Sequence, residues 1–187
     1  MTEKIWEGEL LENRVVIFGK DSVELYDESG YGKPFPEENP DRLELELVEA
    51  LYLLEKEKIK IVKKNGKKRS ISFKDLMKLG TDTQKDFHSI FIIYRDLRER
   101  GYLVKTGFKF GTNFRVYERG VKLKRGPKAP HEHTKWIVHA VPEEFTCEFA
   151  ELSRAVRLAH NIRAKMLWAV VDRENDVTYY EILRITP

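Results

Sequence analysis

The sequence predicts an α+β fold: a small N-terminal α/β module, residues 1–85, followed by a C-terminal domain with a mixed sheet, residues 86–187. Apolar residues recur at the helical period in some segments and form short runs typical of strands in others. Asn65-Gly66 is a strong hairpin signal, because both central residues of a type I′ turn need positive φ. The polar stretch TDTQKD, residues 81–86, marks the boundary between the two parts.

The N-terminal module alternates short strands with helices. Its first segment forms short strands that end in a turn, and the glycines and prolines of residues 30–40 exclude a helix there. A helix follows from apolar residues at helical spacing, and a hairpin and a second helix complete the module. The predicted elements are strand Val15–Phe18, turn Gly19–Ser22, helix Leu43–Lys56, strands Ile59–Val62 and Arg69–Ser72, and helix Phe73–Leu79.

The C-terminal domain is predicted to hold two helices and five strands. The first helix stops at Gly101, since glycine accepts the left-handed conformation that closes a helix. The predicted elements are helix Ile90–Gly101, strands Tyr102–Gly107 and Asn113–Glu118 around a turn at Lys109–Thr112, strand Trp136–Val141, helix Phe149–His160, and strands Met166–Val171 and Val177–Ile185 around the turn DREND. Helices and strands in this mixture indicate an α+β domain.

Charge distribution matters more than net charge in this chain. Its 187 residues include 34 Lys and Arg against 31 Asp and Glu, a net charge of +3. Its one cysteine, Cys147, forms no internal disulfide, and the sequence has no apolar run approaching the roughly 20 residues that span a bilayer. We therefore expect a soluble cytoplasmic protein without a membrane partner.

A tyrosine, a histidine and many basic residues lie between Gly101 and Trp136, a combination that suits metal-free cleavage of RNA. RNA carries its own nucleophile, the 2′-hydroxyl, so cleavage needs a base, an acid and a positive charge near phosphorus. Histidine suits the acid because its unperturbed pKa is about 6.5. Tyrosine serves as the base only where cations stabilise its phenolate. Six Lys or Arg and one acidic residue, Glu118, lie between Arg115 and Lys128.

Three blocks resemble the archaeal tRNA-splicing endonucleases: KTGFKFGTNFRVYERG, EHTKWIVHAV and VRLAHNIRAKMLWAVVDRENDVTYYEI. The likeness runs from the helix LVEALYLLEK to the C-terminus. It implies an endoribonuclease that excises introns from precursor tRNA at a bulge-helix-bulge, leaving 2′,3′-cyclic phosphate and 5′-hydroxyl ends. It also implies that Tyr117, in the FRVY block, is the general base and His133, in the HT pair, the general acid.

The third catalytic residue that the resemblance implies is a lysine, and here the sequence departs from the family pattern. Members typically read VRKK where this chain has Ile162-Arg163-Ala164-Lys165, so the family's lysine position holds Ala164. Lys165 is adjacent, but neighbours at the start of a strand point to opposite faces. Losing one electrostatic contact at a transition state typically costs about 10² to 10³ in rate, so we expect a weak enzyme.

Three explanations of Ala164 remain open. The protein is a deliberately inactivated form in which the lysine was replaced to trap uncut RNA, or Lys165 or Arg163 substitutes in a natural variant, or the alignment is shifted by one residue. The intact Tyr117 and His133 favour the first explanation, because a naturally decayed site is free to lose them too.

Further residues of this chain are candidates for RNA binding. The resemblance implies that Arg157 stacks on a flipped bulge nucleotide, with Tyr179, Tyr180 or Arg184 as the other half of the clamp. More residues separate Tyr117 from His133 than the family pattern leads us to expect. This stretch includes KLKRGPKAP, which we expect to contact substrate phosphates through Lys122, Lys124 and Arg125.

The resemblance also implies an assembly. An acidic turn, here Asp172, Glu174 and Asp176, docks on another subunit, and the chain resembles the homotetrameric type; the alternative is a heterotetramer with a structural subunit. No cofactor and no metal are expected, because no cluster of His, Cys or carboxylates has ligand spacing. The alternative function is a noncatalytic RNA-binding or structural subunit of such an assembly.

Overall fold

The computed structural model describes residues 4–65, 67–107, 111–123 and 133–185. The chain divides into two compact units, Met1–Phe91 and Ile92–Pro187. Each unit is built on a β-sheet with helices, which confirms the predicted α+β fold class. Two predicted turns reach outside the described residues, the first at Gly66 and the second at Lys109 and Phe110.

A six-stranded sheet forms the N-terminal unit. Its strands are β1 (Trp6–Leu11), β2 (Arg14–Phe18), β3 (Lys33–Phe35), β4 (Arg42–Glu46), β5 (Ile59–Asn65) and β6 (Lys67–Ile71). They lie in the order β3-β4-β2-β1-β5-β6, with β1 and β5 parallel and the other neighbours antiparallel. The edge position of β3 accommodates Pro34, which has no N–H for a sheet ladder.

The predicted helix over Leu43–Lys56 is wrong in its first turn, which belongs to β4. Leu43 and Leu45 are fully buried and alternate with glutamates, the period of two that a strand requires. The helix α2 (Leu47–Glu55) begins where this alternation ends. Its start is stabilised by the Glu46 N–H, which donates to the Glu49 carboxylate at 3.1 Å.

Three further helices begin in the N-terminal unit. They are α1 (Val23–Ser29), which the sequence reasoning did not predict, α3 (Phe73–Thr83) and α4 (Phe87–Glu99). Ser72 caps α3, with its hydroxyl accepting from the Asp75 N–H. A Cβ on Gly80 would lie 2.1 Å from the ring of Phe87, so only glycine allows this close approach.

A five-stranded sheet forms the C-terminal unit. Its strands are β7 (Leu103–Thr106), β8 (Phe114–Tyr117), β9 (Trp136–Pro142), β10 (Lys165–Val171) and β11 (Val177–Ile182). They lie in the order β11-β10-β9-β8-β7, with β9 and β10 parallel and the other neighbours antiparallel. The helix α5 (Phe149–Asn161) connects the two parallel strands.

The two faces of this sheet have different coverings. On the face that we call the α5 face, Ile137, Met166 and Trp168 pack with Val156 and Ala159 of α5. On the other side, the α4 face, the ring of Tyr94 in α4 lies 5.5 Å from that of Phe114, and the Tyr179 hydroxyl donates to Asp96 at 2.6 Å. Successive residues of each strand therefore alternate between these two environments.

Candidate active site

Tyr117 and the Ala164 position lie on the same face at one end of the C-terminal sheet. Val116 pairs with Trp136, and Trp136 pairs with Lys165, so these three residues share the α4 face. The next residue toward this end, Tyr117 on β8 and Ala164 just before β10, therefore lies on the α5 face. Ala164 packs against the cluster beneath α5, as this alternation requires.

The segment that carries His133 enters the sheet between these two positions. The Lys135 N–H donates to the Val116 carbonyl at 2.9 Å, and the Lys135 carbonyl accepts from the Lys165 N–H at 2.9 Å. His133 is exposed and lies two residues before Lys135. The structure thus brings the tyrosine, the histidine segment and the family's lysine position to one end of the sheet.

Tyr117 is only 2% exposed. It ends β8 opposite Leu103 of β7, and Arg115 lies two residues earlier on the same face. Most of the Tyr117 side chain is therefore packed against its neighbours.

Ala164 belongs to the motif that closes α5. Arg163 has φ of 58°, in the left-handed region, and its N–H donates to the His160 carbonyl at 3.0 Å. The Ala164 N–H donates to the Ala159 carbonyl at 2.9 Å. These two bonds form a Schellman motif, which is made by backbone atoms, and the Ala164 side chain packs against the cluster beneath α5.

Lys165 is engaged on the α4 face. Its Nζ lies 2.8 Å from Oε1 of Glu181, and Oε2 of the same carboxylate accepts from the Trp136 indole N–H at 3.2 Å. The Lys165 and Trp136 contacts lower the pKa of Glu181. The sequence reasoning missed Glu181; the signal that finds it is the antiparallel pairing of β10 with β11. Lys165 is thus directed away from Tyr117.

Arg157 and Arg184 line one cavity of about 380 Å³ beside α5, together with His160 and Asn161. Arg157 is exposed on α5, and Arg184 follows β11. Two guanidinium groups at one cavity are suited to stack on an unpaired base.

The other clamp candidates lie elsewhere. The Tyr179 hydroxyl contacts Asp96 on the α4 face, and the Arg100 guanidinium lies 5.7 Å from its ring centroid. Burial first, and then the hydrogen bond to Asp96, raise the pKa of Tyr179. Tyr180 is on the α5 face with 55% of its surface exposed.

The predicted phosphate-binding loop is only partly described. Lys122 is exposed, whereas Lys124 and Arg125 lie outside the described residues. Nearby, the Arg119 guanidinium lies 4.8 Å from the centroid of Tyr102, and Lys135 forms an ion pair with Glu118.

The acidic turn between β10 and β11 is held by its own first residue. The Asp172 carboxylate accepts from the backbone N–H groups of Glu174 and Asp176, both at 2.9 Å. Asn175 takes a positive φ of 68°. Glu174 and Asp176 remain exposed, so two carboxylates are presented at the tip of a well-defined turn.

Within the described parts of the chain, no group of three or more His, Cys, Asp or Glu side chains is arranged to hold a metal ion. The described helices also include none that is long and apolar enough to cross a bilayer.

Both units match one protein family. Residues 6–77 match the tRNA intron endonuclease N-terminal domain, and residues 87–179 match the tRNA intron endonuclease catalytic C-terminal domain.

Curated relatives extend this similarity over most of the chain. A protein named tRNA-splicing endonuclease from Thermococcus onnurineus is 42% identical over 141 residues, 75% of each chain. One from Thermococcus kodakarensis is 39% identical over 84% of each chain. One from Methanothermobacter thermautotrophicus is 38% identical over 97% of this chain and 98% of its own length. With both domains matched and relatives of this identity aligned over most of their length, the chain belongs to the tRNA intron endonuclease family.

Proposed function

We propose that this protein is built to excise introns from precursor tRNA, cutting at a bulge-helix-bulge without a metal ion and leaving 2′,3′-cyclic phosphate and 5′-hydroxyl ends. One observation carries the proposal: in a chain of this family, Tyr117, the His133 segment and Ala164 converge at one end of the sheet. The relatives' name supports the same substrate class.

In this mechanism the Tyr117 phenolate removes the proton of the RNA 2′-hydroxyl. The 2′-oxygen attacks phosphorus, and the bond from phosphorus to the 5′-oxygen breaks. His133 donates a proton to the departing 5′-oxygen, which becomes the 5′-hydroxyl end. The exposure of His133 suits exchange of that proton with water.

Ala164 removes the cation that would stabilise charge on the phosphorane. Lys165 does not replace it in this geometry, since its side chain binds Glu181 on the α4 face. Arg163 is exposed in the left-handed position that closes α5. The chain as it stands should therefore be slower by about 10² to 10³ than one with lysine at position 164.

The test restores the lysine. An Ala164→Lys variant and the present chain are incubated in EDTA with bulged RNA, and the products are examined for cyclic-phosphate ends. A Thr178→Lys variant, which adds the same charge at an exposed position of β11, is the control. Cleavage about 10² to 10³ faster with Ala164→Lys than with the present chain or with Thr178→Lys is the expected result.

The other outcomes of this cleavage test would favour different explanations. Cleavage by no variant would favour the alternative, a noncatalytic RNA-binding or structural subunit, which the alanine itself motivates. Equal cleavage by all chains would favour substitution by Lys165 or Arg163, or a shifted alignment. A requirement for Mg²⁺ would contradict the metal-free mechanism.

RNA binding is assigned to two surfaces. Arg157 and Arg184 clamp an unpaired base, supported by the cavity that they share. Lys122, Lys124 and Arg125 contact phosphates, supported by their charge and by the exposure of Lys122. Replacing these three by alanine should lower RNA affinity and reduce its salt dependence. Unchanged affinity across several salt concentrations would contradict the loop's role.

The proposed assembly is a homotetramer, with a heterotetramer that contains a structural subunit as the alternative. The exposed carboxylates of Glu174 and Asp176 are the proposed docking groups. Light scattering of the purified chain measures its mass. An Asp176→Asn/Glu174→Gln variant should shift the mass toward a smaller species, and an unchanged mass would exclude this contact.

A further inference from the structure

The hairpin formed by β5 and β6 in the N-terminal unit concentrates positive charge. Its sequence from residue 59 to residue 71 contains six Lys or Arg and no acidic residue. Four of these side chains are exposed and form two cross-strand pairs, in which Lys63 lies opposite Arg69 and Lys64 lies opposite Lys68. Residues directly opposite each other have Cβ atoms roughly 5 Å apart, and like charges in such pairs are destabilising. Both pairs therefore gain stability from any negative charge placed beside them.

On one face of the hairpin, the protein itself supplies that negative charge. Lys64 and Lys68 share this face with Glu7 and Glu9 of the neighbouring strand β1, and we call it the Glu7 face. The Lys64 Nζ lies 2.7 Å from a carboxylate oxygen of Glu9, and the Lys68 Nζ lies 2.8 Å from one of Glu7. The charges of this cross-strand pair are therefore neutralised within the N-terminal unit.

The opposite face of the hairpin is not neutralised in this way. Lys63 and Arg69 lie on the face of the buried Ile61, which we call the Ile61 face. Lys63 has no carboxylate partner among the residues that the structure describes. Arg69 is 76% exposed, and its guanidinium lies 3.9 Å from Asp75, whose carboxylate already accepts hydrogen bonds from Ser72 at the start of α3. The Ile61 face thus presents two adjacent positive charges to solvent.

The chemistry of the exposed side chains favours a nucleic acid over a protein as the partner. Stable protein interfaces have an apolar centre, often with aromatic anchors. In the described part of residues 60–70, every exposed side chain is that of a lysine, an arginine or a serine. These are the side chains that contact phosphate oxygens in nucleic-acid complexes, where they position the partner without reading its sequence.

We propose that the Ile61 face of this hairpin binds the phosphate backbone of a helical arm of the RNA, outside the cut. This inference rests on the proposed function, which supplies an RNA partner. The hairpin belongs to the N-terminal unit, whereas Tyr117 and Ala164 belong to the C-terminal unit. Bound phosphates would also relieve the repulsion between Lys63 and Arg69. The N-terminal unit thereby adds affinity for the body of the substrate, and the C-terminal unit performs the cut.

The experiment compares the two faces of the hairpin. Fluorescence anisotropy in EDTA, at several salt concentrations, measures the Kd of bulge-helix-bulge RNA with short and with extended flanking duplexes. The variant Lys63→Gln/Arg69→Gln removes two charges from the Ile61 face. The matched control, Lys64→Gln/Lys68→Gln, removes two charges from the Glu7 face of the same hairpin, so both variants have the same net charge.

We expect extended duplexes to bind the present chain more tightly than short ones. Lys63→Gln/Arg69→Gln should lose this gain, with Kd for the extended RNA weakened by about five-fold or more and the salt slope reduced by about 2. The Glu7-face control should keep the gain, and both variants should bind the short RNA like the present chain.

A second measurement separates RNA binding from a role in the fold. Lys63→Glu places opposite charges across the hairpin, at the position facing Arg69. It should therefore raise the urea midpoint of unfolding while weakening binding of the extended RNA. A fall in the midpoint together with the loss of affinity would overturn the proposal, because the lysine would then act through the fold.

Other outcomes would also overturn it. Equal losses for the two double variants would show that net charge alone matters and that the Ile61 face has no special role. A smaller assembly mass for Lys63→Gln/Arg69→Gln, measured by light scattering, would favour an acidic protein segment as the occupant.

Failure of the proposed function gives a different result. If the present chain does not prefer bulged RNA to an uninterrupted duplex of the same length, the proposed function fails, and the assignment of an RNA partner fails with it. If that preference holds while Lys63→Gln/Arg69→Gln binds the extended RNA as tightly as the present chain, only the role of the hairpin is wrong.

Discussion

Ala164 and Lys165 are neighbours in the sequence but lie on opposite faces of the C-terminal sheet. Ala164 packs on the α5 face, where Tyr117 also lies, and brings no charge to it. Lys165 is on the α4 face, where Glu181 binds its ammonium group at 2.8 Å. Because a strand alternates its side chains between faces, the Lys165 ammonium group is held on the face opposite to that of Tyr117.

The largest expected effect concerns Tyr117, on the α5 face. In the Ala164→Lys background, Tyr117→Phe should lower the single-turnover cleavage rate by about 10² to 10⁴, the usual contribution of a general base. Tyr94→Phe removes a phenol of similar burial on the α4 face and is the control. Equal rates for the two phenylalanine variants would remove Tyr117 from the reaction.

The second effect concerns RNA affinity beside α5. Arg157→Ala and Arg184→Ala should each weaken binding of bulged RNA by about 5- to 100-fold, the cost of one lost base stack. Tyr180→Ala, on the same face but absent from the described lining of that cavity, should leave Kd nearly unchanged. A larger loss for Tyr180→Ala than for Arg184→Ala would reassign the second half of the clamp.

The third effect is a pH dependence on the α4 face. The pKa of Tyr179 is raised above its unfolded value of about 10, so its contribution to stability is complete below about pH 10 and is lost as the pH rises. Above this pH the unfolded state binds fewer protons, and the free energy of unfolding falls.

Urea denaturation at several alkaline pH values measures this dependence. Tyr179→Phe should flatten the decline and cost about 1 to 3 kcal/mol at neutral pH, through the lost bond to Asp96. The exposed Tyr180→Phe is the control. Identical slopes for the present chain and Tyr179→Phe would show that this phenol titrates normally.

The smallest expected effect concerns Lys165, on the α4 face. Lys165→Ala should cost no more than about 1 kcal/mol of stability, because Lys165 is 61% exposed in its ion pair with Glu181. In the Ala164→Lys background it should leave the cleavage rate unchanged. A large loss of rate would mean that the Lys165 side chain reaches the α5 face, where Tyr117 lies.

Most secondary structure was predictable because it depends on local spacing. The strand containing Tyr117 and the helix α5 begin within two residues of their predicted positions. The first turn of the helix predicted from Leu43 was wrong, since LELE fits a strand when a neighbouring strand pairs with it. The seven-residue helix α1 was not predicted, because its sequence has no regular apolar pattern.

The candidate site, like the secondary structure, was predictable in part. The family resemblance, the base and acid candidates and the missing lysine were predictable from the sequence, because these depend on residue types in a fixed order. The folded structure was needed to show which face each side chain occupies, that Arg157 and Arg184 line one cavity, and that Thr112, His139 and Trp168 line another. Such juxtapositions depend on strand register and helix packing, which join residues far apart in the chain and leave no local pattern in the sequence.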